Sequence, residues 1–229
     1  MFKIITLIVL TTGFLFSNIN PMSMSQNNAQ EKVKEKKLYK ELISSLSTSL
    51  NGEYTMYLAV IYLNGISEPD DIGETINPDI KKSIKYFEKA INQEYYNAAS
   101  ILGSLYLLDN KLSKEEDNVK KAKHYLKIAL EKNIYEATVP LSTISIFYEK
   151  DSETALKYLH MGANNKIASA ELTLATLYAY GSEEFGVDKN LLIGNQFLER
   201  ACLNKKKTEK VEEFCSSKDV LNYKKEVEK

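Results

Sequence analysis

Apolar residues recur along this chain in paired stripes. A first stripe of Leu, a small residue and Tyr appears at Leu58-Ala59-Ile61-Tyr62 and Leu102-Gly103-Leu105-Tyr106, and again at Leu141-Ser142-Ile144 and Leu174-Ala175-Leu177-Tyr178. After a polar stretch of variable length comes a second stripe: Ser83-Tyr86-Phe87-Ala90, Ala122-Tyr125-Leu126-Ala129, Ala155-Tyr158-Leu159-Gly162 and Gly194-Phe197-Leu198-Ala201. Residues three and four apart share one helical face, so each set predicts a buried stripe on a helix. Small residues at both ends of the second stripe let a neighbouring helix come close, and the aromatic fills the groove between helices. Successive register leucines are 44, 39 and 33 residues apart. Periods of this size mark helix pairs that cannot bury their apolar faces alone and must stack. The pattern predicts an all-α fold, an α/α solenoid of about four helix-turn-helix repeats with a capping helix at each end.

The fourth copy is the best written. Ala170 to Gly181, then Phe185-Gly186-Val187-Asp188, then Gly194 to Ala201 resemble a Sel-one-like repeat, a longer-looped relative of the tetratricopeptide repeat. The first copy resembles it through Leu58–Gly65 and Ile84–Ala90, the second through Ala98–Tyr106 and Ala122–Ala129. The third departs: Ser145 stands where Tyr is expected, and Pro140 falls inside the first helix. Proline is tolerated only in a helix's first turn, so that helix either starts late or is kinked. The resemblance spans residues 52–204, with repeats at about 52–96, 97–135, 136–168 and 169–204.

The ends read differently. Lys3 followed by the apolar run Ile4–Phe16 is too short to span a bilayer, and with Ser17, Ser23 and Ser25 behind it reads as a secretory leader, residues 1–25. This places the mature chain in the periplasm or outside the cell; membrane contact is expected only through an uncleaved leader. Leu38, Leu42, Ile43, Leu46 and Leu50 line one face of residues 26–51, opposite interleaved lysines and glutamates, which reads as an N-terminal cap. Val211, Phe214, Leu221 and Tyr223 mark a C-terminal capping helix over residues 205–229.

Charge and chemistry narrow the function. The formal net charge is −1 and Arg200 is the only arginine, which excludes the basic balance of nucleic-acid binders. Cys202 and Cys215 are the only cysteines, and in an oxidising compartment such a pair forms a disulfide. His124 and His160 fall on the second helices of different repeats and read as packing or surface residues. There is no zinc spacing, nucleophile elbow, P-loop or dinucleotide fingerprint, so neither a cofactor, a metal site nor a catalytic residue is expected. Glu68, Asp70, Asp71, Glu74 and Asp79 crowd one loop without the alternation or turn glycine of a calcium loop, and read as a solvated acidic segment.

If the Leu–small–Tyr stripe faces the core, two or three other positions of each first helix point away from it. These are Tyr57, Val60 and Asn64 in the first copy, and Ile101, Ser104 and Leu108 in the second. The third copy gives Thr143 and Phe147; the fourth gives Thr173, Thr176 and Tyr180. Stacked, they line a concave ribbon poor in charge and suited to a peptide or helix, or else they pack against the neighbouring repeat. The expected function is a non-enzymatic scaffold for another protein. An immunity protein that neutralises a toxin in the periplasm, a role the resemblance suggests, is the alternative, as is a regulator of a cell-wall enzyme.

Overall fold

The computed structural model describes residues 48, 50–65, 77–108, 114–204 and 215–216. The leader, nearly all of the N-terminal cap, the acidic positions Glu68–Glu74 and the C-terminal cap apart from Cys215 and Ser216 lie outside the described residues. Within them the chain is helical, a repeat helical architecture of eight α-helices and a single isolated β-bridge. First helices α1 (Gly52–Asn64), α3 (Asn97–Leu108), α5 (Thr138–Phe147) and α7 (Ala168–Tyr180) alternate with second helices α2 (Ile80–Asn92), α4 (Glu115–Glu131), α6 (Ser152–Asn164) and α8 (Leu191–Leu203). The chain divides between Leu102 and Gly103 into two compact units.

The first-helix and second-helix sequences differ in kind, and this sorts them into layers. First helices carry two carboxylates, Glu53 and Glu171, and no lysine or arginine; second helices carry the lysines. A helix apolar on most sides must be covered on most sides. Accordingly α7 buries nine of its thirteen residues, whereas α8 buries only Gly194, Leu198 and Ala201.

Three contacts recur among the repeats, each in three places. In the first, the register Tyr stacks nearly parallel on the second-helix aromatic: Tyr62 on Tyr86 at 5.4 Å, Tyr106 on Tyr125 at 5.9 Å, and Tyr178 on Phe197 at 5.9 Å. Such pairs contribute about 0.5–1.5 kcal/mol beyond their buried area. Lys82 and Lys121, each four residues before the second-helix aromatic, sit over Tyr62 and Tyr106 at 5.1 and 5.2 Å. Ser145 deprives the third copy of its ring and of this stack.

In the second contact, the residue capping the second helix returns a backbone bond to the first helix. Asp79 N–H donates to Tyr62 O at 2.7 Å, Asp151 N–H to Ser145 O at 2.9 Å, and Asn190 N–H to Tyr178 O at 2.6 Å. The same three side chains accept a first-turn N–H of their helix, from Lys82, Thr154 and Ile193. Loops of different length therefore close on one shared bond. In the longest described loop, Ser182 and Val187 exchange backbone hydrogen bonds and bury Phe185 and Val187 in the core. Gly181 ends α7 at φ +72°, a backbone conformation that side chains rarely adopt, and starts this excursion; Gly65 ends α1 at a similar φ of +70°.

The third contact is the turn from one second helix to the next first helix. Tyr95 N–H, Ile134 N–H and Ile167 N–H return to Ala90 O, Ala129 O and Gly162 O at 3.0, 3.0 and 2.9 Å. Between them Glu94, Asn133 and Lys166 hold positive φ. This is the six-to-one helix stop, usually made with glycine.

Pro140 is accommodated by a late start. A 3-10 turn at Tyr135–Ala137 precedes α5, which opens at Thr138, so Pro140 is its third residue and its missing N–H lies among donors that have no intrahelical partner.

Small residues set how near the helices approach. A Cβ on Gly103 would lie 2.6 Å from Leu126 Cγ and 3.0 Å from Ala122 O, the latter a backbone atom that does not give way. Gly103→Ala is therefore expected to destabilise the chain by about 1–3 kcal/mol through overpacking, read as a lower urea midpoint with an unchanged slope. An unchanged midpoint would show that α3 and α4 are not held at this distance.

Candidate functional site

The candidate partner surface follows from where the first helices leave side chains accessible. The eleven expected ribbon residues fall into three registers that the structure treats differently. The first register is closed in later copies: Ile101 is 9% and Thr173 3% exposed, while Tyr57 in the first copy is 42% exposed. The second is also mostly committed. Val60 and Ser104 are buried, and Thr143 and Thr176 are half-buried.

The threonine hydroxyls turn inward on their own backbone. Thr143, Thr173 and Thr176 donate to Val139 O, Ser169 O and Leu172 O at 3.1, 2.8 and 3.0 Å, each bonding the carbonyl four residues back. Val60, Ile101, Ser104 and Thr173 are buried, which fits the packing alternative at these positions, because the first helices are covered on more sides than one apolar stripe implies.

Only the third register stays accessible in every copy. Asn64 is exposed, Leu108 is 36% and Tyr180 70% exposed, and Phe147 is half-buried. These residues sit at the C-terminal ends of the first helices. Within the unit that begins at Gly103, Leu108, Phe147 and Tyr180 occupy equivalent places on α3, α5 and α7, and Tyr148 adjoins Phe147 at 44% exposure. Burial and the neighbouring Glu115 carboxylate push the Tyr148 phenol above its ordinary range, so it is a neutral hydrogen-bonding ring. Tyr148 was missed in the sequence because it follows the last stripe position by one residue; its proximity to Glu115 is a tertiary fact.

The two histidines lie against aromatic rings. His124 meets Tyr125 edge-on at 5.2 Å, and His160 lies 6.0 Å from Phe197, its pKa lowered by burial. Asp79 is held below the usual carboxylate range by the backbone bond from Lys82, as a helix cap is. Among the described residues no group of three or more His, Cys, Asp or Glu is arranged to hold a metal ion.

Among the described residues the one strongly buried charge is Glu171, 2% exposed, with Oε1 3.0 Å from the Arg200 guanidinium. Arg200 also donates to Ala163 O at 2.7 Å, and Asn204 to Lys166 O at 2.6 Å. The only arginine of the chain thus ties α8 to the end of α6 and the start of α7. Burial pushes the Glu171 carboxyl above its ordinary range, against the pull of Arg200.

Cys202 and Cys215 lie at disulfide distance, with Cα atoms 5.7 Å apart. Both pack against Ala168, Leu172, Ala175, Leu198 and Ala201, so the pair holds Cys215 on the last apolar face of α7 and α8. No helix among the described residues is long and apolar enough to cross a membrane.

Comparison with known proteins agrees with this architecture. The family model described as Sel1 repeat matches four stretches, residues 53–95, 97–134, 146–166 and 168–205, more than half of the chain. The third match omits α5 almost entirely, where Pro140 and Ser145 break the pattern. In fold the chain is similar to a Sel1 repeat protein from Oxalobacter formigenes, with TM-score 0.56 at 20% identity over 78% of this chain and 74% of that one. It is also similar to c5321, a protective antigen present in uropathogenic Escherichia coli strains and displaying an SLR fold, with TM-score 0.56 at 16% identity over 87% of this chain. The match spans 38% of that larger protein. No curated relative matches the sequence.

Two expectations follow. A carboxyl whose pKa is raised on folding binds its proton more tightly in the native state, so its contribution to stability falls as pH rises from the ordinary value of 4.5 through the raised one. Relative to Glu171→Gln, the native chain should therefore lose stability as pH rises above about 4.5 in urea titrations; a gain on the same rise would mean that the Arg200 pairing outweighs burial. Replacing Cys202 and Cys215 by Ser reopens a loop of 13 residues and should cost about 3 kcal/mol, measured as a drop in melting temperature that reducing agent reproduces in the native chain.

Proposed function

The chain belongs to the Sel1 repeat family, and from that premise we propose that it is a non-enzymatic scaffold holding another polypeptide in the periplasm or cell envelope. Sel1 repeats generally mediate protein–protein interaction. The observation that carries the reading here is the accessible register at the first-helix ends, where Leu108, Phe147 and Tyr180 recur at one place with no charged side chain in that register. Aromatic and aliphatic anchors on a rigid scaffold, rimmed by the lysines and glutamates of the second helices, are the composition of a protein-binding surface. The cysteine pair and the leader-like residues 1–25 support an oxidising, exported setting.

Leu108→Glu combined with Tyr180→Glu should weaken partner binding at least tenfold, about 1.4 kcal/mol or more, while the melting temperature stays unchanged, because both side chains are exposed. Thr176→Ser, which keeps the inward hydroxyl bond, should bind as the native chain does. The measurement is quantitative capture from envelope extract with the captured protein identified, then titration of the purified pair. Equal binding by the double variant would place the surface elsewhere. Loss of viability under a captured toxin, restored by the native chain alone, would turn the scaffold into an inhibitor.

A further inference from the structure

The loop joining α7 to α8 is pinned across its base. Ser182 N–H donates to Val187 O at 2.7 Å, Val187 N–H to Ser182 O at 2.8 Å, and Gly186 N–H to Glu183 O at 3.1 Å. Phe185 and Val187 are buried in the core, which leaves Glu183, Glu184 and Asp188 exposed on the outside. Two apolar side chains are exposed at the same end of this helix pair. Tyr180 is the last residue of α7, 70% exposed, and Leu192 lies in the first turn of α8, 63% exposed. The bond from Asn190 N–H to Tyr178 O holds those two helix ends together.

No structural role among the described residues takes up these three carboxylates. The neighbouring repeat differs: Glu149 and Glu153 pair with Lys123 and Lys157, and Asp151 caps α6. The cap of α8 is Asn190, and its first turn holds no acid. Among the described residues no base pairs with Glu183, Glu184 or Asp188, and no group of acids is arranged to hold a metal ion. Like charges gathered on one loop repel each other and draw a cation from outside. Given the scaffold role proposed above, on which this rests, we propose that the segment held at this end is cationic and amphipathic. Its apolar or aromatic side chain is seated against Tyr180 and Leu192, and lysines or arginines beside it reach Glu183, Glu184 and Asp188.

Charge complementarity selects this occupant. A second copy meeting the same patch about a two-fold axis would set three carboxylates against three, a juxtaposition that disfavours the pair. An anionic lipid surface is repelled in the same way. Metal ions find no site here, so the charge is left for cations carried along a chain. The hydrogen bonds across the loop already hold the backbone that bears the carboxylates, and this keeps the ordering cost of binding low.

The test is selection of short random peptides, displayed on phage, against the full chain. Selected peptides should be rich in Lys and Arg beside an aromatic residue or Leu, and Tyr180→Ser should weaken them about tenfold. Glu183→Lys with Glu184→Lys should also weaken them about tenfold, by replacing attraction with repulsion. Glu131→Lys with Glu136→Lys makes the same change of net charge at exposed positions of the α4–α5 junction and should leave their affinity unchanged. All four carboxylates are exposed, so melting temperatures should not separate the two variants. Selected peptides without basic residues that still depend on Tyr180 would overturn the cationic partner and leave the scaffold surface standing. Basic peptides weakened equally by both charge reversals report net charge alone and would overturn it too. Peptides indifferent to Tyr180→Ser, or no enrichment at all, would overturn the surface itself.

Discussion

The hydrogen bonds from Tyr95, Ile134 and Ile167 back to Ala90, Ala129 and Gly162 fix the one part of the repeat that cannot change length. Each turns the chain over six residues by holding a left-handed residue, and none of the three is glycine. L-residues reach that conformation at a cost of roughly 1 kcal/mol, so the surrounding packing must hold it. That packing is the small end of the second-helix stripe. At the Gly162 junction Thr138 and Ala170 already occupy the space a Cβ would need, and a larger side chain would push the next first helix away. Turn and small residue thus act together: one sets where the next helix starts, the other how closely it lies.

Within a repeat the constraint is looser, and this explains the unequal periods. The cap-to-carbonyl bond joins Asp79 to Tyr62, Asp151 to Ser145 and Asn190 to Tyr178 across loops of very different length. Lengthening a closed loop costs only slowly more entropy, so insertions gather there and not at the junctions. The third copy shows which contacts are dispensable. It has lost the tyrosine ring and carries a proline, yet the cap bond from Asp151 still lands on Ser145, because that bond uses a carbonyl any residue provides.

The sequence was most legible where a periodic stripe faces one neighbour. Leu58, Leu102, Leu141 and Leu174 are all at most 1% exposed, as their register requires. The late start of α5 was one of two outcomes that Pro140 allowed, and the 3-10 turn before it decided between them. The ribbon was less legible, for a physical reason. Periodicity identifies one face by contrast with another, and the first helices have little contrast, being apolar on nearly every side. Ser104 and Thr173 looked like solvent positions because they are polar, yet small hydroxyls enter a tight helix interface once they bond their own backbone, as Thr173 does to Ser169 O.

This economy of charge on the first helices also bears on what a partner meets. Basic residues of the described helices lie on second helices, where Lys82 and Lys121 are engaged with tyrosine rings, and Arg200 pairs with Glu171 and the Ala163 carbonyl. What the first helices leave at their ends is uncharged: Asn64, Leu108, Phe147, Tyr180. On the proposed reading, binding at Leu108, Phe147 and Tyr180 would gain from desolvating apolar and aromatic surface held in place by helices, with little side-chain ordering left to do. The apolar contact itself varies weakly with salt, whereas selectivity falls to the polar rim. On that reading the loops between the two helices of a repeat, whose lengths vary in the sequence, would adjust partner choice while the junctions between repeats keep their length.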